Sequence, residues 1–213
     1  MTATALRRGP VANAIRLHRL VAVLRRVEPR PALVSLVGDL ADAGVRVVEI
    51  TQDAPSGPDD LAAVSTHLAA RGDATYLVGA GTVVDIGQLD RAREAGAEFV
   101  VTPILDLDLI RAAIEAEMPI IAGALTPTEI AAAWAAGATF VKVFPASAVG
   151  PAFVRELGGP LPAIELIPTG AVDGTNAAAF LGAGAVAVGI GGALVRATAA
   201  ERRALLATLV ESI

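Results

Sequence analysis

Eight short apolar runs, mostly β-branched at their centres, recur along this chain of 213 residues. They cover residues 19–25, 45–51, 75–83, 98–103, 119–125, 139–145, 164–170 and 185–191. Because the runs are almost continuously apolar rather than alternating, they predict parallel strands that are covered on both faces. A sheet of this kind needs a helical crossover between successive strands.

The segments between the runs have helical patterns. They cover residues 32–44, 58–72, 86–96, 106–117, 126–137, 150–159, 174–184 and about 199–211. Asp59, Asp106 and Thr126 are predicted to begin three of these helices, and Gly44, Gly72, Gly96, Gly137 and Gly184 to follow helix ends. Strands alternating with helices in this way predict an α/β fold, a (β/α)₈ TIM barrel. We expect a single domain over residues 1–213, with a short N-terminal helix at about 10–18.

Composition excludes several classes of function. The net charge of −5 argues against a nucleic-acid or anionic-membrane surface. The chain has no cysteine, which excludes disulfides, thiolate metal sites and a cysteine nucleophile. Two histidines are too few and too far apart for a histidine-rich metal cluster, so no metal is expected. No cofactor is predicted either. No apolar stretch has the length of a membrane span, and the first residues do not resemble a signal peptide, so a cytoplasmic protein is expected.

Lys142 is the only lysine in the chain, and it lies inside a run that is predicted to be a buried strand. The other sixteen basic side chains are arginine. Desolvation favours the uncharged amine, which attacks ketones and aldehydes to form a Schiff base. Arginine stays protonated and cannot replace it. We therefore interpret Lys142 as a residue retained for amine chemistry.

Glu49 lies near the end of the second predicted strand, and strand alternation places it on the same face as Val47 and Thr51. If this face and that of Lys142 point inward, the carboxylate and the amine share the barrel lumen. Glu49 would then serve as the proton shuttle that Schiff-base chemistry requires. Structural alternatives stay open: a Lys–Glu ion pair, a lysine that extends to the rim, or a glutamate paired with Arg25 or Arg46.

Two glycine-rich loops follow the last two predicted strands, in the segments "PTGAV" and "GIGGALV". In TIM barrels these loops often build an anion site from backbone N–H groups. Glycine also serves simply to make turns, so this indication is weaker than that of Lys142.

The segments "VAVLR", "VVEIT", "VGAGTV", "FVVTP", "TPTEIAAAWAAGATFVKVFPAS" and "LIPTGAV" resemble, in this order, the family of 2-keto-3-deoxy-6-phosphogluconate (KDPG) and 4-hydroxy-2-oxoglutarate (KHG) aldolases. The resemblance extends from about residue 19 to 196. It implies a class I, metal-free aldolase with a (β/α)₈ fold, commonly a homotrimer, with a place in carbohydrate metabolism of the Entner–Doudoroff type.

The resemblance also implies roles for individual residues. Lys142 would be the Schiff-base lysine and Glu49 the general acid/base. The substrate-binding residues would be Arg25, Thr82, Thr169, Phe144 and Pro103. Gly170, Ala171, Gly191 and Gly192 would fall on the phosphate-binding loops.

Four positions depart from the family pattern. Asp53 stands where gluconate-type members often have arginine and galactonate-type members asparagine. Gly192 replaces a serine, Ala171 replaces a glycine, and Ile104 stands where a small or polar residue is usual. Each missing charge-assisted contact would weaken phosphate binding by about 1.5–3 kcal/mol.

The leading hypothesis is therefore a class I aldolase that cleaves KDPG, or its galactonate epimer, to pyruvate and glyceraldehyde 3-phosphate. Two enzymatic alternatives change the substrate, either to KHG with glyoxylate as the aldehyde or to a non-phosphorylated 2-keto-3-deoxy acid. A barrel that binds a phosphorylated metabolite without turnover is the non-enzymatic alternative. The expected partners are small-molecule substrates, with neither nucleic acid nor membrane.

Overall fold

The computed structural model describes residues 1–72 and 75–211. In this part of the chain, every strand lies inside one of the apolar runs. The strands are β1 (Leu20–Leu24), β2 (Val47–Thr51), β3 (Leu77–Gly81), β4 (Val100–Val101), β5 (Ile120–Ala124), β6 (Phe140–Val143), β7 (Leu166–Pro168) and β8 (Val188–Ile190).

Helices alternate with the strands, and within the described ranges none is both long and apolar enough to cross a membrane. They are α1 (Ala3–Arg7), α2 (Pro10–His18), α3 (Arg30–Ala43), α4 (Gly57–Ala69), α5 (Ile86–Glu94), α6 (Leu107–Glu115), α7 (Pro127–Ala136), α8 (Gly150–Leu157), α9 (Ala177–Gly182), α10 (Gly192–Arg196) and α11 (Ala199–Glu211), with a 3₁₀ turn at Ala146–Ala148. The glycine-rich segment after β8 was expected to be a loop, but the structure forms α10 there.

The eight strands pair in parallel in the order β7-β6-β5-β4-β3-β2-β1-β8. The two ends of this sheet meet through a parallel bridge between Thr169 and Gly189. The Val186 amide also donates a hydrogen bond of 3.1 Å to the Leu166 carbonyl. The sheet therefore closes on itself, and the predicted (β/α)₈ barrel is confirmed.

Two of the three predicted helix starts are confirmed. The Asp106 carboxylate accepts from the amides of Asp108 and Leu109, and Thr126 forms a capping box with Glu129. The prediction for Asp59 was wrong, because α4 begins two residues earlier and Asp59 lies in its first turn. Asp59 and Asp60 both form ion pairs with Arg30 instead. All five glycines predicted after helix ends have positive φ.

The barrel has two apolar cores. A large one lies between the strands and the outer helices. The smaller one fills the lumen at the amino ends of the strands, and its strand residues include Val47 and Phe140. Helix α2 contributes Ala12 and Ile15 to this inner core, so it closes the lumen from below. The polar residues of the lumen therefore have an apolar, water-excluding floor beneath them.

Helix α2 offers a matched test of this packing. Ile15 is 1% exposed and Leu17, two residues later on the same helix, is 74% exposed. We expect Ile15→Ala to lower the free energy of unfolding by about 2–5 kcal/mol, since it leaves a cavity in the lumen floor. Leu17→Ala should change it by less than about 0.5 kcal/mol. Equilibrium unfolding in denaturant measures both, and equal losses would contradict the proposed closure of the lumen by α2.

Candidate active site

The lumen above the apolar floor contains a carboxylate and an amine. Glu49 and Lys142 each lie two residues after a residue of the inner core, Val47 and Phe140 respectively. Strand alternation therefore turns both side chains into the lumen. Both are almost fully buried, with 2% exposure for Glu49 and 4% for Lys142.

The Lys142 amine has an aromatic neighbour. Its Nζ lies 5.0 Å from the centre of the Phe144 ring. Among the described residues, no carboxylate lies within 4.0 Å of this nitrogen, so the Lys–Glu ion pair considered above is absent from the structure. Phe144 directly follows β6, the strand that carries Lys142, and lines the same cavity as the amine.

The Glu49 carboxylate lies in the space left by a glycine on the neighbouring strand. It occupies the space that a Cβ atom would take at Gly81 on the neighbouring strand β3. Its Oε1 atom is fully buried and has no hydrogen-bond partner within the described residues. Neither Arg25 nor Arg46 forms the ion pair with Glu49 that was considered above, since Arg25 pairs with Asp53 and Arg46 donates to backbone carbonyls. Burying a carboxylate oxygen without a partner is costly, which is typical of a site that expects a ligand or water.

Three more glycines make room inside the barrel in the same way. A Cβ at Gly79 would overlap the Phe99 ring, and one at Gly189 would overlap the Thr169 side chain. A Cβ at Gly123 would overlap the backbone of Pro103, which is half-buried after β4. Gly123 is also the β5 residue paired with Lys142. Glu49, Lys142 and Thr169 therefore each have a glycine facing the lumen on one neighbouring strand.

A network of arginine side chains lies at the rim of the lumen. Arg25 donates to the Thr82 hydroxyl at 3.1 Å and forms an ion pair with Asp53 at 3.4 Å. Arg26 pairs with the same carboxylate at 3.2 Å and donates to the Asp53 carbonyl at 2.8 Å. Burial acts to raise the pKa of Asp53, but the nearby Thr51 hydroxyl and the two guanidiniums hold it below its usual value. Asp53 is thus a charged partner of Arg25. Thr82, which accepts the other Arg25 bond, has a left-handed backbone conformation with φ of 58°.

A cavity of about 730 Å³ opens onto Lys142. Eight of the eleven predicted site residues line it: Arg25, Lys142, Phe144, Thr169, Gly170, Ala171, Gly191 and Gly192. The other three, Glu49, Thr82 and Pro103, do not line the cavity wall. Thr82 accepts a hydrogen bond from Arg25, which does line the cavity. The volume is in the range of small-molecule binding sites.

The loop after β7 contains two consecutive residues with positive φ. Gly170 has φ of 100° and Ala171 has φ of 54°, so both are in the left-handed region. The Asn176 side chain donates to the Ala171 carbonyl at 2.9 Å and stabilises this turn. Asp173 accepts from the hydroxyl and amide of Thr175, and these bonds hold its pKa below the usual value. The carboxylate of Asp173 is therefore engaged within its own loop.

Arg196 was not predicted from the sequence to be a site residue. It lines the same cavity as Lys142, at the end of α10. The segment after β8 was interpreted as a glycine-rich loop, and a loop gives no fixed direction to a residue five positions beyond Gly191. Once α10 is recognised, the i, i+4 spacing of Gly192 and Arg196 places them on one helical face.

Comparison with known proteins agrees with this geometry. A family model described as "Aldolase: KDPG and KHG aldolase" matches residues 11–207. A 2-dehydro-3-deoxy-6-phosphogalactonate aldolase of Escherichia coli (strain K12) is 37% identical over 179 residues, which cover 84% of this chain and 85% of the relative. A KHG/KDPG aldolase of the same organism is 32% identical and covers 91% of this chain and 84% of the relative.

A solved structure is similar as well. The structure described as "Native KDPGal structure" superimposes with a TM-score of 0.78 at 32% identity, and the match covers 91% of this chain and 93% of that chain. The family match spans the barrel, the lumen and both loops around the cavity. The chain belongs to the KDPG and KHG aldolase family and is an aldolase, a carbon–carbon lyase.

Proposed function

We propose that this chain is a class I, Schiff-base aldolase that reversibly cleaves 2-dehydro-3-deoxy-6-phosphogalactonate, or the gluconate epimer, to pyruvate and glyceraldehyde 3-phosphate. The observation that carries the proposal is the buried Lys142 amine, which opens onto a ligand-sized cavity and has no carboxylate partner among the described residues. An amine in that setting is available for a bond to substrate carbon rather than occupied in an ion pair.

The first half of the reaction forms the imine. The Lys142 amine attacks the ketone carbon of the substrate and gives a carbinolamine, which loses water to become a protonated imine. Glu49 moves the protons in these steps through a water molecule, which also gives the Oε1 atom the hydrogen-bond partner that it lacks among the described residues. The apolar floor below both residues keeps bulk water away from the intermediate.

The second half breaks the C3–C4 bond. Glu49 accepts the proton of the C4 hydroxyl, the aldehyde leaves, and the electron pair of the broken bond forms an enamine on the pyruvyl portion. The enamine carbon takes up a proton, and hydrolysis releases pyruvate and restores the amine. Thr169 and Phe144, which line the cavity beside Lys142, are our candidates for contact with the pyruvyl portion.

The galactonate epimer is our first choice of substrate because the relative named for it is 37% identical over 84% of this chain. Asp53 bears on how strongly an anionic substrate is held, since both epimers carry the same charge. It pairs with Arg25 at the rim, so it lowers the positive charge available to a substrate there. A KHG substrate, with glyoxylate as the aldehyde, is the alternative, since a relative named for both KHG and KDPG is also similar.

Turnover of purified protein tests the proposal. Pyruvate release from the two epimers and from KHG identifies the substrate, and we expect the galactonate epimer to give the highest kcat/KM. Lys142→Arg should abolish turnover, because a guanidinium cannot form the imine. Glu49→Gln should lower kcat by about 10²–10⁴-fold. Glu115→Gln, on the exposed surface of α6, is the matched control and should keep the wild-type rate. Full activity of Lys142→Arg would contradict the mechanism, whereas binding without turnover by the wild-type protein would favour a barrel that only binds.

Gly81 provides a second test, since its missing side chain leaves room for the Glu49 carboxylate. We expect Gly81→Ala to displace this carboxylate and to lower kcat by about 100-fold. Gly182→Ala is the control, because a Cβ at that exposed position on α9 would have no heavy atom within 4 Å. It should keep the wild-type rate and gain a few tenths to about 1 kcal/mol of stability from helix propensity. Wild-type kcat in a folded Gly81→Ala variant would show that the carboxylate position does not matter.

We also propose that the chain assembles as a homotrimer. Four apolar side chains on the loops and helix starts after β3 and β4 are substantially exposed: Val84, Ile86, Ile104 and Leu107. Such a patch is typical of a surface that another chain covers. Sedimentation equilibrium should give three times the mass of the 21.5 kDa chain, and a monomeric mass would contradict the proposal. The cytoplasmic location expected from the sequence stays a prediction, which cell fractionation tests.

A further inference from the structure

Arg196 is an uncommitted positive charge in the wall of the cavity that holds Lys142. The other guanidinium in that wall belongs to Arg25, which is engaged by Asp53 and Thr82. Arg196, by contrast, has no hydrogen bond or ion pair with any other described residue. Asp173, the acidic residue of the cavity wall, accepts from the Thr175 hydroxyl and forms no ion pair with Arg196.

The Arg196 guanidinium lies over Gly192. Its Nη1 atom is 2.8 Å from the position that a Cβ would take at residue 192. A side chain at residue 192 would crowd this nitrogen. The guanidinium therefore occupies the space that the absent side chain of Gly192 leaves at the start of α10.

Helix α10, which carries Arg196, is fixed in place by a buried arginine of the next helix. Arg202 donates to the Leu194 carbonyl at 3.0 Å and to the Val195 carbonyl at 3.3 Å, and it is only 6% exposed. These two carbonyls belong to α10 itself. The backbone of Arg196 is thus held at the edge of the cavity, which favours binding because less freedom is lost when a ligand arrives.

We propose that Arg196 is a specificity-determining residue that binds the phosphate at the end of the substrate remote from the imine carbon. This inference rests on the proposed function for its choice of substrate. A planar guanidinium suits a phosphate because it donates two parallel hydrogen bonds to it. Gly192 has no side chain to offer the phosphate, and Arg25, paired with Asp53, contributes less.

Paired substrates test the role of Arg196. The kcat/KM for 2-dehydro-3-deoxy-6-phosphogalactonate is compared with that for the same sugar acid without phosphate. We expect Arg196→Gln to lower kcat/KM about tenfold or more for the phosphorylated substrate only, chiefly through KM. Arg196→Lys should recover part of the loss, since it keeps the charge without the planar donor pair. Arg203→Gln, an equal loss of charge on the exposed surface of α11, should change neither value.

Two kinetic outcomes would overturn the inference. Equal losses on both substrates would show that Arg196 has a structural role or binds the carboxylate common to both. No loss on either would show that it binds nothing in the reaction. Turnover of both substrates by the wild-type protein reports on the proposed function separately, so failure of one idea is distinguished from failure of the other.

A binding measurement tests for a phosphate site at Arg196 without turnover. Inorganic phosphate, compared with chloride at equal ionic strength, should raise the Tm of the wild-type protein and of Arg203→Gln. The increase should be lost in Arg196→Gln. An equal increase in all three proteins, or none in the wild type, would contradict a phosphate site at Arg196.

Discussion

Space inside the barrel is the constraint on which the rest of this structure depends. Eight parallel strands enclose a lumen that side chains normally fill completely. Here four strand positions facing the lumen are glycine, and a Cβ at any of them would overlap a neighbour: Gly79, Gly81, Gly123 and Gly189. The volume that they leave is occupied by the side chains of Glu49, Thr169 and Phe99 and by the backbone at Pro103. A buried carboxylate and a buried amine can therefore stand above an apolar floor without breaking the barrel.

The charges are arranged in two levels above that floor. At the lower level, Glu49 and Lys142 are almost fully buried and neither forms an ion pair with another described residue. At the rim, Arg25 and Arg26 share Asp53, while Arg196 on the neighbouring helix α10 forms no ion pair with another described residue. The lower level suits covalent chemistry on a carbonyl group, and the rim suits recognition of the anionic end. Because Asp53 weakens the contribution of Arg25, we assign the phosphate contact to Arg196 on α10.

Much of the fold could be predicted from the sequence because each strand is a separate apolar run with a helix after it. The boundaries of the eight strands all fall within the predicted runs. Lys142 could be singled out as well, since a unique lysine in an apolar strand is costly unless the chain uses it. Asp59 was misassigned because Ser56, Gly57 and Pro58 already begin α4, and its carboxylate is drawn to Arg30.

The contacts that shape the site were beyond sequence reasoning because they join distant segments. The space at Gly81 belongs to a side chain 32 positions earlier in the chain, and nothing local to either residue reveals it. The same holds for Arg202, whose bonds to α10 depend on how α11 turns back. Arg196 was missed for a related reason, since the short helix that aims it looks like a glycine loop in the sequence.

Reduction with borohydride in the presence of pyruvate, followed by intact mass and peptide mapping, tests the central claim most directly. The chain contains one lysine, so Lys142 and the N-terminus are the only primary amines that could react. We expect a single reduced pyruvyl group on the peptide that contains Lys142, and none in Lys142→Arg. No adduct on the folded protein in excess pyruvate, or an adduct at the N-terminus alone, would contradict it. Lys142 would then be a buried amine without covalent chemistry.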